Sequence, residues 1–387
     1  MESNMIDITD TSSDVEHLRR FLTLKSVLDT QSSVLVQQHQ AQDIPGCEKI
    51  GEGFCAEIFD MSEVGRVVKR ARQKPAKTTE LWRDYVAHLR IYESCDNIIS
   101  VPKPGYFVTK AGFADWAILV SERIMPLPRT VRTALINTFC PAAAREEAMA
   151  DIRNNDCLAR IYLGVRRPDP LRHTGPFTLR NFELTLDKME HLGIDPMQFV
   201  VPMAEALAVM HWNALRDATD VEFVLGSPRE SGMSAGDFDE LDRDGLQTTW
   251  QQRPSAVAMW LFDFNQVGRI RKEEACIDKL VWAFWNNDLY YPRPAEKELW
   301  DAFKEAYLAR SARYGDASDL SRAFISKIEE DAKTRLPMMQ GPPKYSDVHP
   351  QVSAPAVKKG KKQRRYAAFT LRWKKVSHLM HHGISKS

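Results

Sequence analysis

Leu215-Arg216-Asp217-Ala218-Thr219-Asp220-Val221-Glu222-Phe223-Val224-Leu225 is the stretch whose reading decides the fold. Asp217 is followed five residues on by a second oxygen donor, Glu222, which opens the apolar triplet Phe223-Val224-Leu225. Farther along, the apolar run Met259-Trp260-Leu261-Phe262 ends at Asp263-Phe264-Asn265. A carboxylate and an oxygen donor on a loop ahead of one strand, with a second carboxylate closing the next strand, is a layout that can hold a metal ion and nucleotide phosphates.

Such a site needs a cation for the phosphates, and the upstream sequence supplies one. In Lys49-Ile50-Gly51-Glu52-Gly53-Phe54-Cys55-Ala56-Glu57-Ile58-Phe59, Gly51 and Gly53 permit a tight hairpin whose N-H groups can approach phosphate oxygens. The short strand Arg66-Val67-Val68-Lys69 follows, and its valines would carry Lys69 inward. Next comes a helix over Thr78–Ser94, with Leu81, Tyr85, Leu89 and Tyr92 as its apolar stripe. Glu80, Asp84 and His88 share another face of that helix. Trp116–Val120 reads as a buried strand that exits through Ser121-Glu122-Arg123-Ile124-Met125-Pro126. The block from Pro128 to about Gly175 is mostly helical, with a strand-like run at Leu158–Leu163. A helix capped by Asp195 then carries Phe199, Met203, Leu207 and Met210 on its core face and delivers the opening stretch. His211 ends that face, where a hydrogen-bonded structural histidine is the commoner case.

In this order the pieces resemble those of protein kinases and small-molecule phosphotransferases: Gly-rich hairpin, strand lysine, helix acid, hinge strand, Arg-Asp loop, Asp-Phe-Asn. The resemblance implies an α+β, protein-kinase-like two-lobed fold, with a small N-terminal antiparallel sheet lobe and a larger, mostly helical C-terminal lobe. It also implies ATP and Mg2+. Gly51, Gly53, Lys69, Asp84 and the hinge at Glu122 would face the nucleotide, Glu222 and Asp263 the metal, and Asp217 would accept a proton from a hydroxyl acceptor. Asp84 has the better distance from Lys69, with Glu80 in reserve. The chain departs from the kinase pattern at Glu222, where asparagine is usual, and at Asn265, where glycine is usual and where asparagine tolerates positive φ. These departures favour the alternative, a pseudokinase-like nucleotide-binding or scaffold protein without catalysis.

Three runs, Asp217–Gly226, Trp260–Gln266 and Asn287-Asp288-Leu289-Tyr290-Tyr291-Pro292-Arg293-Pro294, resemble the fungal family known as domain of unknown function 3669, over roughly Phe21 to Ala309. Family members are sometimes labelled zinc-finger proteins. The six cysteines here lie far apart, with no zinc-ligand spacing.

Composition bounds the rest. The chain has 387 residues, 43% hydrophobic, with 53 basic and 52 acidic residues for a net charge of +1, which points to neither nucleic acid nor acidic partners. No secretory leader or transmembrane run is evident, and the expected compartment is cytoplasmic or nuclear. Four regions are expected: a helical extension over 1–43, the sheet lobe over 44–127, the helical lobe over 128–335 with an inserted loop at 226–258, and a disordered linker with a basic tail over 336–387. The insert carries a fragment of a calcium loop that fails at Gln251, so its acids read as solvated. Lys358 to Lys375 holds nine basic residues and no acid. That tail and the helical block are the surfaces expected to dock a protein partner, with nucleic-acid binding ranked lowest.

Overall fold

The computed structural model describes residues 11–24, 49–52, 56–61, 64–72, 75–95, 98–110, 113–171, 176–229, 257–315 and 317–335. Gly53, most of the 226–258 insert and the tail expected over 336–387 lie outside the described residues. The architecture is α+β, with an antiparallel sheet, a second mixed sheet and surrounding helices.

The first sheet is built from β1 (Lys49–Glu52), β2 (Ala56–Met61), β3 (Arg66–Ala71), β4 (Pro104–Lys110) and β5 (Phe113–Glu122), in the order β1-β2-β3-β5-β4 and antiparallel throughout. Within it Lys69 stands opposite Ile58 on β2 and Leu119 on β5. After α1 (Thr11–Phe21), the next helix is α2 (Pro75–Ser94), which crosses from β3 to β4 and packs on β5. It starts earlier than the Thr78 read from the sequence, because a proline is favoured in the first helical turn, where its missing N-H costs nothing. Its Leu81 seals a small core with Ala56, Ala71, Ala117 and Leu119. Complete burial of a leucine contributes roughly 1.5–3 kcal/mol.

The second sheet comprises β6 (Ala159–Tyr162), β7 (Glu183–Thr185), β8 (Glu222–Gly226) and β9 (Ala258–Phe262), ordered β7-β6-β8-β9. β6 and β7 are parallel, while β6–β8 and β8–β9 are antiparallel. Around it lie α3 (Arg129–Phe139), α4 (Arg145–Ala150), α5 (Leu186–His191), α6 (Met197–Trp212), α7 (Ile277–Asn286), α8 (Lys297–Ser311) and α9 (Ala317–Arg335). β7 and α5 have no counterpart in the sequence reading, because three-residue strands and two-turn helices are too short to show a period.

α6 is apolar on nearly every face and buried accordingly, the mark of a central helix. Asp195 Oδ1 accepts from Met197 N-H at 2.9 Å and so satisfies one of the orphan donors at its start. α6 packs along α8, where Tyr307 hydroxyl accepts from Trp212 Nε1 at 3.0 Å and shares a hydrogen bond with His211 Nδ1 at 2.9 Å. His211 is thus a structural histidine, pushed down to about 3 by burial. α1 docks on α3, with Leu18 and the Leu22 that follows the helix fully buried in the main core, and Asn137 donates to Asp14 at 2.9 Å. Among the described residues no helix is long and apolar enough to cross a membrane.

Candidate functional site

The strand alternation of β3 carries Lys69 inward beneath α2. Its ammonium donates to Asp84 Oδ2 and to Asp263 Oδ1, both at 2.9 Å. The Asp84 carboxylate on α2 is 1% exposed and that of Asp263 at the end of β9 is 27% exposed, so one anchor is sealed and the other is partly open to solvent. Burial works against the charge on Lys69, but Asp263 and then Asp84 outweigh it and raise its pKa. Glu80, one turn away on α2, pairs with Lys77 at 2.7 Å. Phe264 packs against His88 with ring centroids 5.1 Å apart, and His88 Nε2 donates to the Pro102 carbonyl at 2.6 Å. α2 is therefore tied to the Asp263-Phe264-Asn265 turn by both charge and packing.

Glu222 opens β8 directly opposite Phe262, the residue before Asp263. Across β6 and β8, Arg160 lies opposite Val224, which makes Glu222 its diagonal same-face neighbour, and the two side chains pair at 2.8 Å. Burial pushes the Glu222 carboxyl up to about 7, against the pull of Arg160 and with the repulsion of Asp263 and Asp220. Asp220 is pushed up to about 6 by desolvation first and by Asp263 next, and it accepts a hydrogen bond from Gln266. Three carboxylates, Asp220, Glu222 and Asp263, thus share one field beside Lys69. Asp220 is the middle acid of the Asp-x-x-Asp-x-Glu run, and the five-residue spacing that singles out Asp217 and Glu222 does not include it.

Asp217 is 2% exposed, and both its oxygens are engaged. Oδ1 accepts from Thr219 N-H at 3.1 Å and Gly268 N-H at 2.8 Å, while Oδ2 pairs with Lys279 Nζ at 2.8 Å. Asp217, expected to face an acceptor hydroxyl, is held here by Thr219 of its own loop and by Gly268 and Lys279 from beyond β9. A Cβ on Gly268 would lie 2.5 Å from Asp217 Oδ2, so glycine is what permits this approach. Asn287, from the Asn287–Pro294 run, donates to the Val221 carbonyl at 2.8 Å and holds the same loop from below.

The backbone here is strained. Leu215, Ala218, Asp220 and Asp263 have φ of 54°, 58°, 59° and 62°, a region that costs an L-residue about 1–2 kcal/mol each and clusters at functional sites. Asn265, expected to take the positive φ of the usual glycine, does not; Asp263 takes it, and Asn265 Nδ2 instead donates to Asp263 Oδ1 at 2.8 Å.

The remaining expected residues sit apart from this group. Glu122 is three residues along β5 from Leu119, the partner of Lys69. Its backbone N-H donates to the Lys103 carbonyl, and its carboxylate accepts from Arg229 at 2.6 and 2.7 Å and from Lys103 N-H at 2.6 Å. Gly51 lies in β1 opposite Ile58, where a Cβ would crowd that side chain at 3.1 Å, and Gly53 falls outside the described residues.

Among the described residues no three Cys, His, Asp or Glu side chains converge into a metal cage. A magnesium ion asks for less, since one or two carboxylates plus substrate phosphates suffice. Asp263, Asp220 and Glu222 are hard oxygen donors whose mutual repulsion a divalent cation would relieve, and on that chemistry the residues fit Mg2+.

Comparison with known proteins adds the following. The family model DUF3669, described as zinc finger protein, matches residues 259–319, a minor part of the chain. No curated protein matches. Among solved structures, the chain is similar to the GDP complex of wild-type aminoglycoside 2′-phosphotransferase-IIIa at 9% identity and a TM-score of 0.23, covering 78% of this chain and 98% of that one. A point mutant of that enzyme, also with GDP, gives 8% identity and a TM-score of 0.23, with coverage of 78% and 97%. An aminoglycoside phosphotransferase from Alicyclobacillus acidocaldarius gives 13% identity and a TM-score of 0.18, with coverage of 80% and 98%. At such scores the likeness fixes neither fold nor function.

Proposed function

We propose that this chain has a kinase-like two-lobed fold, with residues 44–127 as the sheet lobe and 128–335 as the helical lobe, and that it uses ATP with Mg2+ to phosphorylate a hydroxyl acceptor. The observation that carries the proposal is Lys69 held at 2.9 Å by both Asp84 and Asp263. A lysine fixed by a helix acid and a strand-end acid is what phosphoryl transfer requires, because the reaction asks a protein for positioning and charge neutralisation.

Lys69 would contact the phosphates, with Gly51 and Gly53 beside them and the β5 exit at Glu122 toward the base. Asp263 and Glu222 would hold Mg2+, which neutralises the phosphate oxygens when bound. Asp220 would take the proton of the acceptor hydroxyl as its oxygen bonds to the γ-phosphorus and the bond to ADP breaks. Asp220 is exposed, so an acceptor hydroxyl can reach its carboxylate, whereas Asp217, buried and held on both oxygens, would position the loop. The four described cysteines are buried free thiols, which supports a reducing compartment, cytosol or nucleus.

A second reading, nucleotide binding without transfer, is favoured by one observation: Arg160 already pairs with Glu222 at the metal-facing position. ADP release with MgATP and a panel of hydroxyl acceptors separates the two. Turnover that falls about 100-fold or more in Asp220→Asn, with MgATP binding intact, supports transfer through Asp220. Binding without turnover on any acceptor supports the scaffold, and turnover unchanged in Asp220→Asn removes Asp220 from its role.

A further inference from the structure

Behind the Asp217 loop lies a cavity of about 800 Å³ that the nucleotide site does not use, since none of Lys69, Asp84, Glu222 or Asp263 lines it. Its wall is assembled from three separate parts of the chain: Arg90 from α2, Arg216 from the loop after α6, and Arg269, Arg271 and Lys279 from the segment that follows Asp263 and enters α7. Glu273 is the acid among the lining residues.

The charges are only partly neutralised from within. Lys279 is engaged by Asp217 at 2.8 Å, and Arg90 reaches Glu93 only at 3.8 Å with both side chains 63% exposed. Among the described residues no carboxylate stands within ion-pair distance of Arg216, Arg269 or Arg271. Arg216 is the informative member: it is 4% exposed, and its guanidinium donates to main-chain carbonyls, of Leu215 at 3.1 Å and Ala214 at 3.4 Å, rather than to a carboxylate. Burial, then Arg269 and Arg90, depress its pKa against the pull of Asp217, whose carboxylate is already paired with Lys279, as expected where cations outnumber the acids beside them. A buried arginine facing two exposed ones across a concave wall costs stability unless an anion completes it.

We propose that this cavity binds a compact, multiply charged phosphate oxoanion, either free polyphosphate or a phosphorylated small molecule, held by Arg216 with Arg269, Arg271 and Arg90. Guanidinium forks match phosphate oxygens bidentately, which a lone ammonium does not. The volume lies in the range of small-ligand pockets, so a compact anion fits better than an extended peptide.

The test is calorimetric titration of the full chain with orthophosphate, pyrophosphate and fructose 1,6-bisphosphate, without nucleotide or Mg2+. Binding of at least one is expected, weakening with added chloride. Arg216→Gln and Arg269→Gln should each weaken it about tenfold or more, since a charge-assisted hydrogen bond is lost. Arg216 is buried, so Arg90→Gln and Arg271→Gln, both at exposed positions, guard against a folding defect and should weaken binding as well. Tighter binding of the bisphosphate identifies an organic phosphate as the ligand class, and tighter binding of pyrophosphate identifies an inorganic one. Lys69→Met should leave all three affinities unchanged, which separates this cavity from the nucleotide site. Absence of binding, binding indifferent to every arginine substitution, loss in Lys69→Met, or binding of a phosphoserine peptide alone would each overturn the proposal.

Discussion

Replacing Asp84 by alanine removes the sealed anchor of Lys69 and tests the geometry of the site without any ligand. Breaking a buried ion pair costs about 3–5 kcal/mol, because the surviving charge remains out of water. Lys69 keeps Asp263 at 2.9 Å and retains 16% side-chain exposure, so the lower end applies, about 3 kcal/mol. That is roughly a 150-fold shift in the folding equilibrium. With a urea m-value toward the upper end of about 1–3 kcal/mol/M, the midpoint should fall by about 1 M. Glu80→Ala, one turn away and paired with the part-exposed Lys77, should cost less than about 1 kcal/mol. The double variant Lys69→Met/Asp84→Ala should be more stable than the sum of the single losses predicts by about 1–3 kcal/mol, since deleting the lysine relieves the orphaned charge. If Asp84→Ala costs no more than Glu80→Ala, or if the two losses simply add, Lys69 and Asp84 do not pair in solution and the site as described is wrong.

Three further outcomes follow from the same contacts. Gly268→Ala should destabilise the fold by about 1–3 kcal/mol in urea unfolding, because the new methyl meets the buried Asp217 carboxylate; wild-type stability would show that the Asp217 brace is loose. Glu222, raised from 4.5 to about 7, binds protons in the folded state that the unfolded chain has already released, so its own contribution to stability should be fully present below about pH 4.5 and be lost as pH rises toward 7, at up to about 1.4 kcal/mol per pH unit. Urea midpoints against pH should lose that component of slope in Glu222→Gln, and an unchanged slope would remove Glu222 as its source. Tyr307→Phe strips the hydroxyl shared by Trp212 and His211 and should cost about 2–4 kcal/mol, read by thermal unfolding; a loss under about 1 kcal/mol would mean that those buried groups find other partners.

The sequence made Lys69, Asp84 and Asp263 legible because each sits where a short-range period ends: a β alternation, a helix face and the close of an apolar strand. Their convergence on one ammonium joins positions as far apart as Lys69 and Asp263, and motif order anticipated it. The Arg160–Glu222 pair was not legible, since it arises from β6 lying antiparallel to β8, a long-range register with no local trace. The burial of Asp217 was also hidden, because it depends on Gly268 bringing its N-H from beyond β9. The positive φ at Asp263 rather than Asn265 reflects tertiary constraint overriding residue preference, and the carboxylate that turns there is the one that meets Lys69.

The most direct test of the central claim is calorimetric titration of MgATP into the full chain, wild type beside Lys69→Met. The arrangement of Lys69 between Asp84 and Asp263 predicts saturable binding by the wild type, weakened about 10–100-fold when the ammonium is lost. No binding to the wild type at millimolar MgATP, or equal binding by Lys69→Met, would contradict the account.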